Sequence, residues 1–91
     1  MTREEVKAQL AKCPLEWEKE QSGAISAELP KLTRWLGVRY SISYGELSVE
    51  MYSDEDCFTD YIASSFYDTE LKAKAEDHRL DLICRLLGIN D

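Results

Sequence analysis

Between Tyr40 and Leu71 the sequence has no lysine and no arginine, while eight aspartates and glutamates fall in that stretch. The flanks are nearly balanced, with six acidic and seven basic residues in 1–39 and four of each in 72–91, so the middle carries the excess behind the net charge of -7. Binding a phosphate backbone requires a basic stripe, and this field repels one, which excludes nucleic acid as an expected partner. Apolar runs are short as well. None approaches the ~20 residues that span a bilayer. The opening MTREEVKAQL has neither the apolar stretch of a signal peptide nor the acid-poor character of a transit peptide. The expectation is a cytoplasmic protein with no membrane partner.

Cysteine is scarce and poorly spaced for chemistry. Cys13, Cys57 and Cys84 make an odd set without a short interval, which suits neither a disulfide framework nor a zinc site. Cys13 and Cys84 read as small core residues on helix faces. Glycine-rich phosphate loops, a serine triad pattern and paired carboxylates in an apolar setting are all missing, so the chain is expected to be no enzyme and to need no cofactor. The catalytic alternative is a nucleophile at Cys57 with His78 as its base. A reactive thiol wants a positive setting, and Cys57 stands between Asp56 and Asp60. Asp54, Glu55, Asp56 and Asp60 do not spell a calcium loop either, because Phe58 and Thr59 occupy the places of a ligand and of the turn glycine. No metal is expected.

What the sequence does contain is pattern. VRYSISYGELSVEM, residues 38–51, alternates in period two about a glycine and reads as a β-hairpin turning at Gly45 and Glu46. That turn sets Tyr44 opposite Leu47, Ile42 opposite Val49 and Tyr40 opposite Met51, with Arg39, Ser41, Ser43, Ser48, Glu50 and Tyr52 on the other face. A second hairpin precedes it. LEWEKE alternates, Gln21, Ser22 and Gly23 suit a three-residue loop with the glycine left-handed, and AISAEL returns so that Leu15 faces Leu29, Trp17 faces Ala27 and Lys19 faces Ile25. The outer face then pairs Glu16 with Glu28, a like-charge contact that Arg34 or Arg39 is placed to relieve.

Helices close both ends. Thr2 and Glu5 form a capping box ahead of Val6, Leu10 and Cys13, and Pro14 stops the helix after about Lys12. At the other end Asp68 is the expected N-cap, Leu71, Ala75, Leu82 and Leu86 form an apolar stripe, and Gly88 ends it. Leu80, Ile83, Cys84 and Leu87 widen that stripe beyond half the circumference. So broad an arc calls for two contacts, one with the sheet and one with the N-terminal helix or a second subunit. Residues 30–37 admit two readings: Leu29, Leu32 and Leu36 have helical spacing between Pro30 and Gly37, while the favoured reading is a bulged or turn-containing connection that becomes strand by Arg34 to Val38. Residues 53–67 read as a loop with a short strand near Ile62. Together these give an α+β domain over 1–91, a two-layer sandwich of N-terminal helix, four-stranded antiparallel meander and C-terminal helix, with both helices on one sheet face.

Glu70, Lys72, Ala75, Glu76 and His78 spell E-x-K-x-x-A-E-x-H. With Trp17 and the 38–51 hairpin upstream, the chain resembles small phage and prophage-type proteins in which a tryptophan-bearing β-meander is closed by such a helix. The resemblance covers about residues 15–87, matching by pattern rather than by residue before Ser53, with the N-terminal helix as an addition. It implies a mobile-element origin and an α+β sandwich, and brings no known activity.

The surface that stands out is acidic and aromatic, since seven of the nine aromatics also lie between Tyr40 and Leu71. The expected function is non-catalytic binding of a basic protein, carried by Glu16, Glu18, Glu50, Asp54, Asp56, Tyr61 and Tyr67. The alternative is a homodimer closed through Leu80, Ile83 and Leu87.

Overall fold

A computed structural model describes residues 1–29, 37–53 and 55–89. The elements run α1 (Arg3–Ala11), β1 (Glu18–Lys19), β2 (Ile25–Glu28), β3 (Gly37–Ser43), β4 (Glu46–Tyr52), β5 (Cys57–Ser64) and α2 (Asp68–Leu87). The strands form one antiparallel sheet in chain order, so the fold is an α+β meander flanked in sequence by two helices.

Among the described residues the sheet has five strands where four were expected. The added one is β5, from the stretch read as a loop, and it pairs with β4 from Tyr52↔Cys57 to Glu46↔Ser64. Most of its residues are exposed, so no apolar alternation marks it in the sequence. A bulge leaves Ile62 unmatched between Ala63, opposite Leu47, and Tyr61, opposite Ser48. That extra residue lets Ile62 and Ala63, adjacent in sequence, both pack against the core.

The 38–51 hairpin turns one residue earlier than expected. Its loop is Tyr44-Gly45, both at positive φ (51° and 73°), and the pairs are Ile42↔Leu47, Tyr40↔Val49 and Val38↔Met51. Two consecutive left-handed residues give the turn whose twist matches the strands. Each partner shifts by two positions, an even number, so the faces stay as expected. In the first hairpin the expected register holds at Glu18↔Ser26 and Lys19↔Ile25, with Gly23 at φ 93° in its loop, although β1 itself spans two residues. The connection expected over 30–37 lies outside the described residues except for Gly37, which opens β3.

Packing follows from this alternation. Val38, Tyr40, Ile42, Leu47 and Val49 point to one side and are sealed by Leu71 and Ala75 of α2, with Leu15, Ala27 and Leu29 beside them. Each large side chain so buried contributes about 1.5–3 kcal/mol from apolar burial. Helix α1 packs on α2 and touches no strand among the described residues, placing Val6 against Leu80 and Cys84. The wide arc of α2 is thus covered by the sheet on one side and by α1 on the other. Leu86 falls outside that cover, and the buried stripe instead runs Leu71, Ala75, Arg79, Leu80, Cys84.

Polar joints fix this covered side. Arg79, only 5% exposed, donates to the Cys13 carbonyl at 2.7 Å and pairs with Glu76 at 3.4 Å, while Glu76 accepts from the Leu15 backbone N–H at 2.8 Å. The α1–β1 connection is thereby pinned to α2. Cys13, expected in the core, is exposed, since the chain has left the helix by that point and it is its carbonyl that faces inward. Tyr40, fully buried, is hydrogen-bonded to His78 Nδ1 at 2.8 Å, and Arg3 pairs with Asp81. Ala75, Glu76 and His78 of the E-x-K-x-x-A-E-x-H pattern therefore all serve to seat α2. Among the described residues no helix is long and apolar enough to cross a membrane.

Candidate functional site

With the core on one side, strand alternation sends Glu18, Ser26, Glu28, Arg39, Ser41, Ser43, Glu46, Ser48, Glu50 and Tyr52 to the other side. No described helix covers that side. Cross-strand neighbours line up in rows, Glu28, Arg39, Glu50 and Thr59 in one and Glu18, Ser26, Ser41, Ser48 and Tyr61 in the next. Arg39 bonds Glu50 at 3.0 Å and stands opposite Glu28, supplying the cation that the Glu16 and Glu28 neighbourhood requires. Glu16, Glu18, Lys19, Glu20, Ser26, Glu28 and Arg39 surround one shallow hollow of about 330 Å³. Among the described residues, four carboxylates gather there with Arg39.

Tyr52 of β4 reaches across β3 to β2 on this face. Its ring covers Gly37, where an added Cβ would come within 2.3 Å of ring carbons, and its hydroxyl donates to Glu28. That bond raises the Tyr52 phenol above its ordinary value, because ionisation would set two anions side by side. Gly37 is the residue that permits the approach.

The expected site residues do not form one cluster. Glu16, Glu18 and Glu50 converge at the hollow and its rim, and Tyr61 shares the face three strands from β2, its hydroxyl bonded to Ser64 at 2.8 Å. Asp56 sits in the β4–β5 turn, where its N–H donates to Ser53 Oγ and its carbonyl accepts from Ser53 N–H. Asp54 lies outside the described residues. Tyr67 is at the opposite end of β5, and the eight residues of that strand hold it roughly 25 Å from Asp56. There it lines a groove of about 450 Å³ with Tyr44, Gly45, Glu46, Ser64, Ser65, Phe66 and Glu70.

The groove edge is also where α2 begins. Tyr67, not Asp68, is the N-cap, because Ser65 Oγ accepts from the Tyr67 N–H at 3.1 Å and donates to Glu70 at 2.6 Å, replacing a capping side chain. Asp68 then stands in the first turn, where its charge suits the helix dipole.

The self-association residues are likewise divided. Leu80 is buried under α1, Ile83 is half-buried beside it, and Leu87 is exposed together with Leu86. Cys57 is exposed opposite Tyr52 on the open face, whereas His78 is bonded to Tyr40 on the covered face, so the sheet separates the two members of the catalytic alternative. Among the described residues, no three His, Cys, Asp or Glu side chains gather as a metal site would require.

No family model, no curated protein and no solved structure matches this chain.

Proposed function

We propose that this chain is a non-catalytic protein-binding module of the cytoplasm, of phage or mobile-element origin, which presents the open acidic face of its sheet to a basic protein. The observation that carries the reading is the gathering of Glu16, Glu18, Glu20 and Glu28 around one hollow, with Glu50 beside it across Arg39. The sheet's ladder fixes the spacing of Glu18, Glu28 and Glu50, so these carboxylates form a pattern that a partner's lysines and arginines can match. Such complementarity steers association and selects partners more than it adds affinity. The mobile-element origin rests on the likeness at Glu70, Lys72, Ala75, Glu76 and His78 to phage-type helices.

The test is capture from a bacterial lysate on the tagged chain, beside a variant carrying Glu16→Gln, Glu18→Gln, Glu28→Gln and Glu50→Gln, with identification of what is retained. A basic protein held by the wild type, eluted by moderate salt and lost by the variant is the expected result. Identical retained sets on both columns would refute it.

A second reading is self-association through the end of α2. Leu86 and Leu87, 49% and 57% exposed, favour it, while Leu80 is already engaged by α1. Concentration-dependent sedimentation abolished by Leu87→Glu would establish that reading.

A further inference from the structure

The groove between the β3–β4 turn and the start of α2 combines three choices of side chain that the fold itself does not require. Tyr44 and Phe66 are fully exposed, at 99% and 101%, and Tyr67 is 66% exposed, so three aromatics bordering one depression add little to the core. Tyr44 also holds φ at 51°, a left-handed conformation that disfavours a bulky residue by about 1–2 kcal/mol and that asparagine or glycine would adopt readily. Strain at an exposed side chain that buries nothing points to a use outside folding. Finally, among the described residues the lining has carboxylates and no cation: Glu46 and Glu70 border the groove, and Asp68 stands in the adjacent first turn of α2.

Two occupants compete on electrostatic grounds. The N-terminus of α2 carries roughly half a positive charge, which by itself favours an anion. Three carboxylates, Glu46, Asp68 and Glu70, outweigh it, and although Lys72 and Lys74 follow one turn along α2, none of the three carboxylates is in an ion pair among the described residues. The occupant is therefore cationic. Aromatic faces favour a planar, weakly hydrated cation that can stack while its N–H groups reach carboxylates, which describes guanidinium better than ammonium.

From this geometry we infer that the groove lined by Tyr44, Phe66, Tyr67, Glu46 and Glu70 is a receptor for an arginine side chain of the protein partner. The inference rests on the proposed binding of a basic protein and gives that partner a second, more specific point of attachment. Glu46 and Ser64 belong to the open face as well as to the groove, so one partner segment can run from the acidic hollow to the arginine site. The hollow then supplies charge, and the groove supplies the choice of arginine over lysine.

The experiment is an NMR titration of the isotopically labelled chain with N-acetyl-arginine amide, with N-acetyl-lysine amide and inorganic phosphate as parallel arms. Saturable shifts concentrated on the amides of Tyr44, Gly45, Phe66 and Tyr67, stronger for arginine than for lysine, are the expected result. Phe66→Ala should weaken arginine binding about two- to fivefold, the range of an exposed cation–π contact, without disturbing the fold. Tyr44→Gly should weaken it similarly while raising the melting temperature, because glycine relieves the left-handed strain. Shifts spread evenly over all carboxylates, equal response to lysine, or phosphate moving these amides where arginine does not would each overturn the assignment. Failure here leaves the sheet face standing on its capture test, and the four glutamine substitutions of that test leave the arginine titration unchanged.

Discussion

Strands β4 and β5 are paired along their whole lengths, yet they are held in opposite ways. Leu47 and Val49 of β4 are buried under α2 at 0% and 1% exposure, and Glu46, Ser48 and Glu50, which alternate with them, are polar and face the open side. β5 is exposed from Cys57 to Tyr61 and reaches the core only through Ile62 and Ala63. A central strand must carry the two-residue period because both its faces are committed. An edge strand takes its conformation from a neighbour's ladder, and its side chains are left for other uses.

The largest expected effect tests that division directly. Leu47→Ala should lower stability by about 2–5 kcal/mol, read from the urea midpoint, because it removes buried methyl groups in the middle of the sheet. Thr59→Ala on β5 should stay within about 0.5 kcal/mol. A loss at Thr59 comparable with that at Leu47 would break the comparison and give β5 a structural burden that its exposure denies.

The same contrast explains what the sequence disclosed. The faces of β2, β3 and β4 were legible because period-two alternation survives an even slip in register, as the 38–51 hairpin shows. Its turn was not, since nothing in the preferences of tyrosine places Tyr44 at φ 51°. β5 was hidden because exposed edge residues need no pattern, and with it went the distance between Asp56 and Tyr67, which depends on an eight-residue strand lying between them. Glu16, Glu18 and Glu50 were legible as members of one face. Arg79 had a signal that alternation of apolar residues overlooks: Leu71, Ala75 and Arg79 follow one another at four-residue steps, which puts an arginine on the buried stripe.

A smaller effect sharpens the view of the open face. Gly37→Ala must push the Tyr52 ring off β3 and break its bond to Glu28, so the substitution should cost about 1 kcal/mol, the usual worth of a hydrogen bond. In a Tyr52→Ala background the clash is gone, and Gly37→Ala should instead stabilise by about 0.4–1 kcal/mol by restricting the unfolded chain. Absorbance titration supplies a second readout, with the Tyr52 phenol falling back toward its ordinary 10.0 when Gly37 is replaced. Equal effects of Gly37→Ala in both backgrounds would show that the ring does not depend on this glycine.

The smallest effect belongs to the covered face, where His78 is half-buried against Tyr40. Burial, aided by the charge of Arg85, holds its imidazole below the ordinary 6.5 against the opposing pull of Asp81 and Asp60. Above pH 6.5 the ring is neutral in both folded and unfolded chains, and its contribution to stability is complete. As pH falls below 6.5 the unfolded chain takes up the proton first, so stability declines through the lowered folded value. Tyr40 gives the mirror image, since burial raises its phenol and stability is lost as pH climbs above 10. His78→Gln keeps a side chain able to bond the Tyr40 hydroxyl and should flatten the acid limb of denaturation measured against pH, leaving the alkaline limb in place. An acid limb unchanged by that substitution would show that burial of His78 against Tyr40 does not set the acid sensitivity, and the covered side would lose the titrating group that distinguishes it from the open one.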